Sequence, residues 1–203
     1  MNEVYTIFRM QVSKREAQGL NIGVLYKDGN IQNILIEEKN DSVIAELLQP
    51  TSARDTVSRV KGEIVSAKED AEHNRALFIL TKDDRNEMHF YIYTNKRLYD
   101  KTKDISQNYF VEGSQVIPFY SPESKTQFII YTPDQNDDGI FRVFEYNSNY
   151  NISKPMKVLA KEVQSYIRDK GEIHTMLSTN LERNLVFIND SDMVVIDLQS
   201  ATK

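Results

Sequence analysis

Short apolar runs alternate with polar segments along the whole chain, and the apolar runs are rich in Tyr, Phe, Val and Ile. These residue types favour β-strands. Asp28-Gly29 lies between two such runs and is a strong hairpin signal, because Gly adopts a positive φ at little cost. Three later polar inserts, TKDDRNE, TPDQNDDG and NDSD, have the composition of hairpin loops. The pattern therefore predicts strands joined by hairpins.

The chain also contains an internal repeat. Three 18-residue windows align without gaps and begin at Gly62, Gly113 and Gly171, which are 51 and 58 residues apart. A weaker copy without the leading Gly spans residues 7–24. Such self-similarity is typical of repeat architectures. We therefore predict one domain, residues 1–203, in which each unit forms a strand, a loop, a strand, a hairpin and a strand. The units span approximately residues 4–40, 62–100, 113–147 and 171–199.

Other segments add elements to these units. Arg97 could begin a fourth strand. Residues Lys154–Lys170 show helical periodicity, and Pro155 suits the first turn of a helix. Asp41–Gln49 is a second candidate helix, ended by Pro50. We therefore expect one or two short helices beside the strands.

The third unit, GSQVIPFYSPESKTQFIIYTPDQNDDGIFRVFEYN, has Phe119-Tyr120-Ser121-Pro122-Glu123 near its middle and Val143-Phe144-Glu145 near its end. In the last unit Val195-Ile196-Asp197 takes the latter place. These features resemble a divergent WD40 repeat, which has a Phe-Ser-Pro-Asp-Gly centre and a Val-Trp-Asp ending. The chain has no Trp and no Gly-His dipeptide, so the family's structural Asp–His–Ser/Thr–Trp network does not carry over. The resemblance implies a β-propeller.

We therefore expect a mainly β fold of about four antiparallel propeller-like blades. The resembled family usually has seven blades, so the blades would form either a closed small ring or an incomplete one. An open arc leaves unpaired backbone at a sheet edge. We favour a larger ring completed by another chain, or a fragment of a longer protein. A β-sandwich with added helices is the competing fold.

Composition excludes several classes of function. The chain of 203 residues has no Cys, which rules out disulfides, thiol nucleophiles and zinc–thiolate sites. A net charge of −5 argues against a nucleic-acid footprint. No apolar run approaches the length of a membrane helix, and the start MNEVYTIFRMQV lacks a signal-peptide pattern, so we expect an intracellular, cytoplasmic protein without membrane insertion. No nucleophile elbow or phosphate-binding Gly loop occurs, which predicts a protein that is not an enzyme.

One motif matches a calcium pattern. Asp134-Gln135-Asn136-Asp137-Asp138-Gly139, followed by Glu145, fits D-x-[DN]-x-[DN]-G-x5-E, with Asp134, Asn136, Asp138 and Glu145 as oxygen ligands. The flanking runs predict strands, whereas an EF-hand needs helices. Integrin α-chain propellers hold calcium in similar hairpin loops, but they carry a further Asp where this chain has Arg142. The alternative is a solvated hairpin turn. We expect no cofactor other than this calcium ion.

The leading functional hypothesis is a non-enzymatic scaffold that presents loops and a sheet edge to another protein chain, which completes the propeller, or to a second copy. Loops on a rigid scaffold usually carry recognition. Two alternatives are a calcium-binding ligand-recognition module and the propeller part of a hydrolase. The candidate binding residues are Asp83, Asp84, Arg85, Arg97, Tyr99, Asp134, Asp137, Asp138 and Asp190.

Overall fold

A computed structural model gives the fold. The chain divides into two compact units, Met1–Thr102 and Lys103–Lys203. The structure describes residues 3–10, 19–48, 58–70, 76–119, 127–132, 140–147, 151–153, 157–158, 175–178, 184–188 and 193–197.

The first sheet is an antiparallel meander in the order β1-β2-β3-β4, and β5 pairs with the start of β3. The predicted hairpin after β2 is confirmed: Gly29 has φ 86°, and the backbone N–H of Asn30 donates to Asp28 Oδ1 at 3.0 Å. The strands are β1 (Val4–Arg9), β2 (Leu20–Tyr26), β3 (Asn30–Lys39), β4 (Ser42–Leu47) and β5 (Ser58–Arg59).

The helix expected over Asp41–Gln49 is wrong, because Ser42–Leu47 is strand β4. Asn40 and Asp41 both adopt left-handed backbone, with φ of 52° and 60°. This two-residue turn sets Ser42 opposite Lys39 and returns the chain along β3. Asn and Asp tolerate this conformation better than other residues with a side chain, so the turn overrides the weak helical pattern.

The second sheet is also an antiparallel meander, in the order β6-β7-β8-β9. Arg97 does begin a fourth strand, which follows a left-handed turn at Asn95 and Lys96. The strands are β6 (Glu63–Asp70), β7 (Ala76–Lys82), β8 (Met88–Thr94) and β9 (Arg97–Asp100).

The core of the first unit lies between these two sheets. The T-shaped contact of Phe8 and Tyr93, with ring centroids 5.8 Å apart, is at its centre. A hydrogen bond from Tyr93 Oη to Asn33 Oδ1, at 2.8 Å, also crosses between the sheets. The strands β1 and β6 are in contact, and the Arg9 N–H donates to Glu69 Oε1 at 2.9 Å. The buried residues of this cluster are Phe8, Met10, Leu25, Ile31, Val60, Leu77, Ile79, Tyr91 and Tyr93.

Within its described residues, the second unit has two further antiparallel sheets, in the orders β10-β11-β12-β13 and β14-β15-β16, and β10 contacts β14. Phe128 and Phe144, paired across β11 and β12, stack at 5.1 Å and are buried. The strands are β10 (Gln115–Phe119), β11 (Gln127–Thr132), β12 (Ile140–Glu145), β13 (Lys157–Val158), β14 (Thr175–Ser178), β15 (Asn184–Ile188) and β16 (Met193–Asp197).

The helix predicted over Lys154–Lys170 is wrong near its N-terminal end. Residues Lys157–Val158 form β13, which pairs with Arg142 and Val143 of β12. Pairing with the edge of β12 gives the backbone N–H and C=O groups of this segment the hydrogen bonds that a helical turn would otherwise provide. Residues 159–170 lie outside the described part of the chain. The helical segments within the described residues are two 3-10 turns, at Thr102–Asp104 and Gln107–Tyr109.

Candidate functional site

Asp83 organises the loop between β7 and β8. Its Oδ1 accepts the backbone N–H groups of Arg85 and Glu87, both at 2.9 Å. Its Oδ2 lies 3.1 Å from His89 Nε2. The loop closes through Asn86, whose φ is 63° and whose N–H donates to the Asp83 carbonyl at 2.9 Å. The carboxylate of Asp83 therefore holds the turn and the first residues of β8 together.

The ligand atoms of Asp83, Glu87 and His89 all lie within 4.8 Å of one another. The hydrogen bond to His89 is the main cause that lowers the pKa of Asp83, and the backbone N–H groups of Glu87 and Arg85 add to it. Asp83 and His89 thus place an anionic carboxylate next to an imidazole. Together these two side chains could ligate a cation or share a proton. Sequence reasoning missed this pair, because the two residues are six apart and meet only across the hairpin.

Of the other predicted binding residues, Arg85 lies in this loop with Asp84, whereas Arg97 and Tyr99 lie away from it. Arg97 pairs with Thr94 at the far end of β8, which is about 20 Å along the strand from the end near Asp83. Tyr99 lies on β9 opposite Ile92. Asp84 stays in the loop and is exposed. The remaining predicted residues, Asp134, Asp137, Asp138 and Asp190, lie outside the described part of the chain.

Of the four predicted calcium ligands, Glu145 is described, whereas Asp134, Asn136 and Asp138 lie outside the described residues. The loop that contains them joins Thr132 to Ile140, the residues that pair at one end of the β11–β12 hairpin. Glu145 pairs with Gln127 at the other end, about 17 Å along β12. A calcium loop of this pattern returns its last Glu to the ion. The geometry argues against Glu145 as a ligand of an ion in that loop.

Arg142 lies on β12, two residues after the strand begins at the end of the same loop. Its Cζ is 4.1 Å from the centroid of the Tyr109 ring, and its Nη1 donates to Thr132 Oγ1 at 3.1 Å. Thr132 Oγ1 in turn donates to the Tyr109 carbonyl at 2.6 Å. Burial lowers the pKa of Arg142, although a guanidinium stays charged at neutral pH. A fixed positive charge beside the loop opposes a bound cation there.

The first sheet has a surface that sequence reasoning missed. Directly paired residues in antiparallel strands share a face, and the pairs Leu20–Ile36 and Ile22–Ile34 lie on the face turned away from the core. Ile7 is 59% exposed and Leu20 is 43% exposed. The sequence signal for this surface was the run of three apolar residues Ile34-Leu35-Ile36, because consecutive residues of a strand lie on both faces of the sheet. We call this surface the outer face; it comprises Ile7, Leu20, Ile22, Val24, Ile34 and Ile36, of which Val24 is buried.

Strand β4 extends this apolar surface to the edge of the sheet. Ala45 pairs with Ile36 and Leu47 pairs with Ile34, so both lie on the side of the outer face. All six residues of β4 are exposed, and Val43 reaches 76%. Sequence reasoning missed this edge because it predicted a helix over Asp41–Gln49.

Comparison with protein-family models finds no match for the chain, and comparison with curated proteins finds none either. Among the described residues there is no helix whose length and hydropathy would let it cross a membrane.

Proposed function

We propose that the chain is a non-enzymatic protein-interaction module built from β-propeller-type blades, and that a β-sheet of another protein packs on its outer face. In the first unit, two antiparallel meanders pack face to face and their first strands, β1 and β6, are neighbours. Blades of a propeller have this arrangement, with the first strand of each blade nearest the axis.

The observation that carries the proposal is a contrast between two sheets of one unit. In the second sheet both faces are buried: Leu77 and Ile79 face the first sheet, whereas Phe78 and Phe90, stacked at 6.1 Å, are buried on the other face. The first sheet buries one face; on its outer face Val24 is buried, whereas the neighbouring Ile7 and Leu20 are exposed. A sheet that is apolar on both faces is typical of the interior of a stack. The outer face is therefore suited to a further sheet.

The chemistry of the outer face defines the partner. Its centre is apolar, and the charged residues Arg9 and Glu38 lie at its margins and are exposed. Contiguous apolar surface with a polar rim is typical of interaction sites. Each exposed Ile or Leu that becomes fully buried contributes roughly 1.5–3 kcal/mol. A flat, β-branched sheet face would cover this surface best, since aligned sheets interdigitate about 10 Å apart.

Site-specific photocross-linking tests this proposal. A photoreactive residue replaces Ile7 on the outer face, and a matched variant carries it at Asp84, which is exposed in the β7–β8 loop. We expect a covalent adduct with a second protein from the Ile7 variant, in the cells that naturally make the chain, with the attachment sites in predicted strands of the partner. Adducts from Asp84 alone would indicate that the loops carry recognition instead.

A further inference from the structure

We propose that β4 is a homotypic docking strand: β4 of one copy pairs antiparallel with β4 of a second copy, with Ala45 opposite Ala45. The surface is the backbone edge of β4 with which no strand of the described residues pairs, not the outer face, so the inference does not depend on the proposed function. A strand added at this edge leaves both faces of the sheet accessible.

The edge lacks the usual protection against pairing. Sheet edges are commonly shielded by charged residues, Pro, bulges or short strands. Strand β4 is six residues long, pairs with β3 without a break in register, and contains one charged residue, Glu46, and no Pro. Val43, Ile44 and Leu47 are 76, 44 and 46% exposed. The last strand of the second sheet, β9, is four residues long and has exposed charges at both ends.

The sequence of β4 selects one two-fold register. Residues directly opposite in an antiparallel pair share a face, so a symmetric pairing centres on one residue. With Ala45 at the centre, Val43 of each copy lies opposite Leu47 of the other, and Glu46 lies opposite Ile44. A centre at Ile44 leaves Leu47 without an opposite residue within β4. A centre at Glu46, or parallel in-register pairing, sets two like charges opposite each other, which is unfavourable.

The same register joins the apolar rows of the two copies. Leu20, Ile36 and Ala45 lie side by side on adjacent strands of one copy. Ala45 at the two-fold axis continues this row into Ala45, Ile36 and Leu20 of the second copy. Six residues at about 3.4 Å each give a shared edge of roughly 20 Å. This is a small interface, so we expect a reversible dimer with a Kd in roughly the micromolar range.

Disulfide cross-linking tests the register, because the chain has no Cys of its own. In the variant Ala45→Cys, two thiols face each other at a Cα separation of about 4.5–5.5 Å, which suits a disulfide. Added diamide accepts the two electrons and two protons that the thiols lose. The control Ser42→Cys is exposed on the same strand, but its two sulfurs would be about 20 Å apart. We expect Ala45→Cys to dimerise covalently roughly tenfold faster or more.

Light scattering across a dilution series gives an independent measurement on the unmodified chain. The mass should rise from monomer toward dimer between about 10 and about 300 μM. Val43→Lys should stay monomeric with an unchanged melting temperature, because Val43 is exposed in the single chain. Ile7→Glu, on the outer face, should still dimerise. Equal cross-linking rates for Ala45→Cys and Ser42→Cys, or a dimer that survives Val43→Lys, would overturn the inference. Failure of the Ile7 photocross-linking alone would leave it intact.

Discussion

Gly23 lies beneath the ring of Phe8, its partner across β1 and β2. A Cβ added at Gly23 would lie 2.2 Å from Phe8 Cζ and 2.6 Å from Cε1 and Cε2. The ring has little room to move, because it is buried and meets Tyr93 edge-on. We therefore expect Gly23→Ala to destabilise the fold by overpacking, by about 1–3 kcal/mol.

A double-mutant cycle separates this clash from a general effect of the substitution. Phe8→Ala alone should cost about 3–5 kcal/mol, because it leaves a cavity in the core. In the double variant the methyl group of residue 23 enters the space that the ring has left. The combined loss should therefore be smaller than the sum of the single losses, by about 1–3 kcal/mol.

Urea unfolding, followed by circular dichroism and by tyrosine fluorescence in this Trp-free chain, measures the three variants. Gly29→Ala is the matched control. Gly29 has φ 86°, so its substitution strains the turn after β2, and its effect should add to that of Phe8→Ala. Additivity within about 0.5 kcal/mol for Gly23→Ala and Phe8→Ala would refute the reasoning.

Three further outcomes are expected. Tyr93→Phe removes the hydrogen bond to Asn33 between the sheets, and urea unfolding should show a loss of about 1 kcal/mol; an unchanged midpoint would contradict it. Hydrogen bonds from an imidazole and two backbone N–H groups hold the pKa of Asp83 below its ordinary value, so its stabilisation is complete above about pH 4 and is lost as the pH falls through the folded pKa. Below the folded pKa of Asp83, the stability of Asp83→Asn in an acid-unfolding experiment should converge with that of the parent chain. A stability difference that stays constant down to that pH would contradict the predicted direction of the pH dependence. Arg142→Lys weakens the stack on Tyr109 and should lower stability by about 1 kcal/mol, measured by thermal unfolding, with no change as the contrary result.

Local chemistry was sufficient to predict much of the fold. Asp28-Gly29 predicted a hairpin because only a few residues adopt positive φ cheaply, and the structure has that turn. The alternating aromatic and β-branched runs predicted the strands, and Arg97 begins a fourth strand in the second sheet. The prediction over Asp41–Gln49 was wrong, because its residues are compatible with a helix and the left-handed turn before it decides the outcome.

The candidate site was less predictable. Asp83 was predicted as a binding residue from its loop position alone, and that analysis did not foresee the hydrogen bonds that it accepts within its own hairpin or its approach to His89. That encounter depends on the register of β7 against β8, which sets which residues of the two strands are opposite. Glu145 fitted a spacing rule in the sequence, yet an extended strand carries it away from the loop that it was expected to close.

The amino-acid sequence by itself determined the mainly β class, the hairpin at Asp28-Gly29 and the exclusion of thiol chemistry, because these depend on neighbouring residues and on composition. Only the tertiary structure decided which faces are covered. Leu35 and Ile36 are adjacent apolar residues on opposite faces of β3, and no local property distinguishes the face that packs on the second sheet from the outer face. Burial depends on elements distant in the chain, so the outer face and the edge at β4 emerged only when the sheets were assembled.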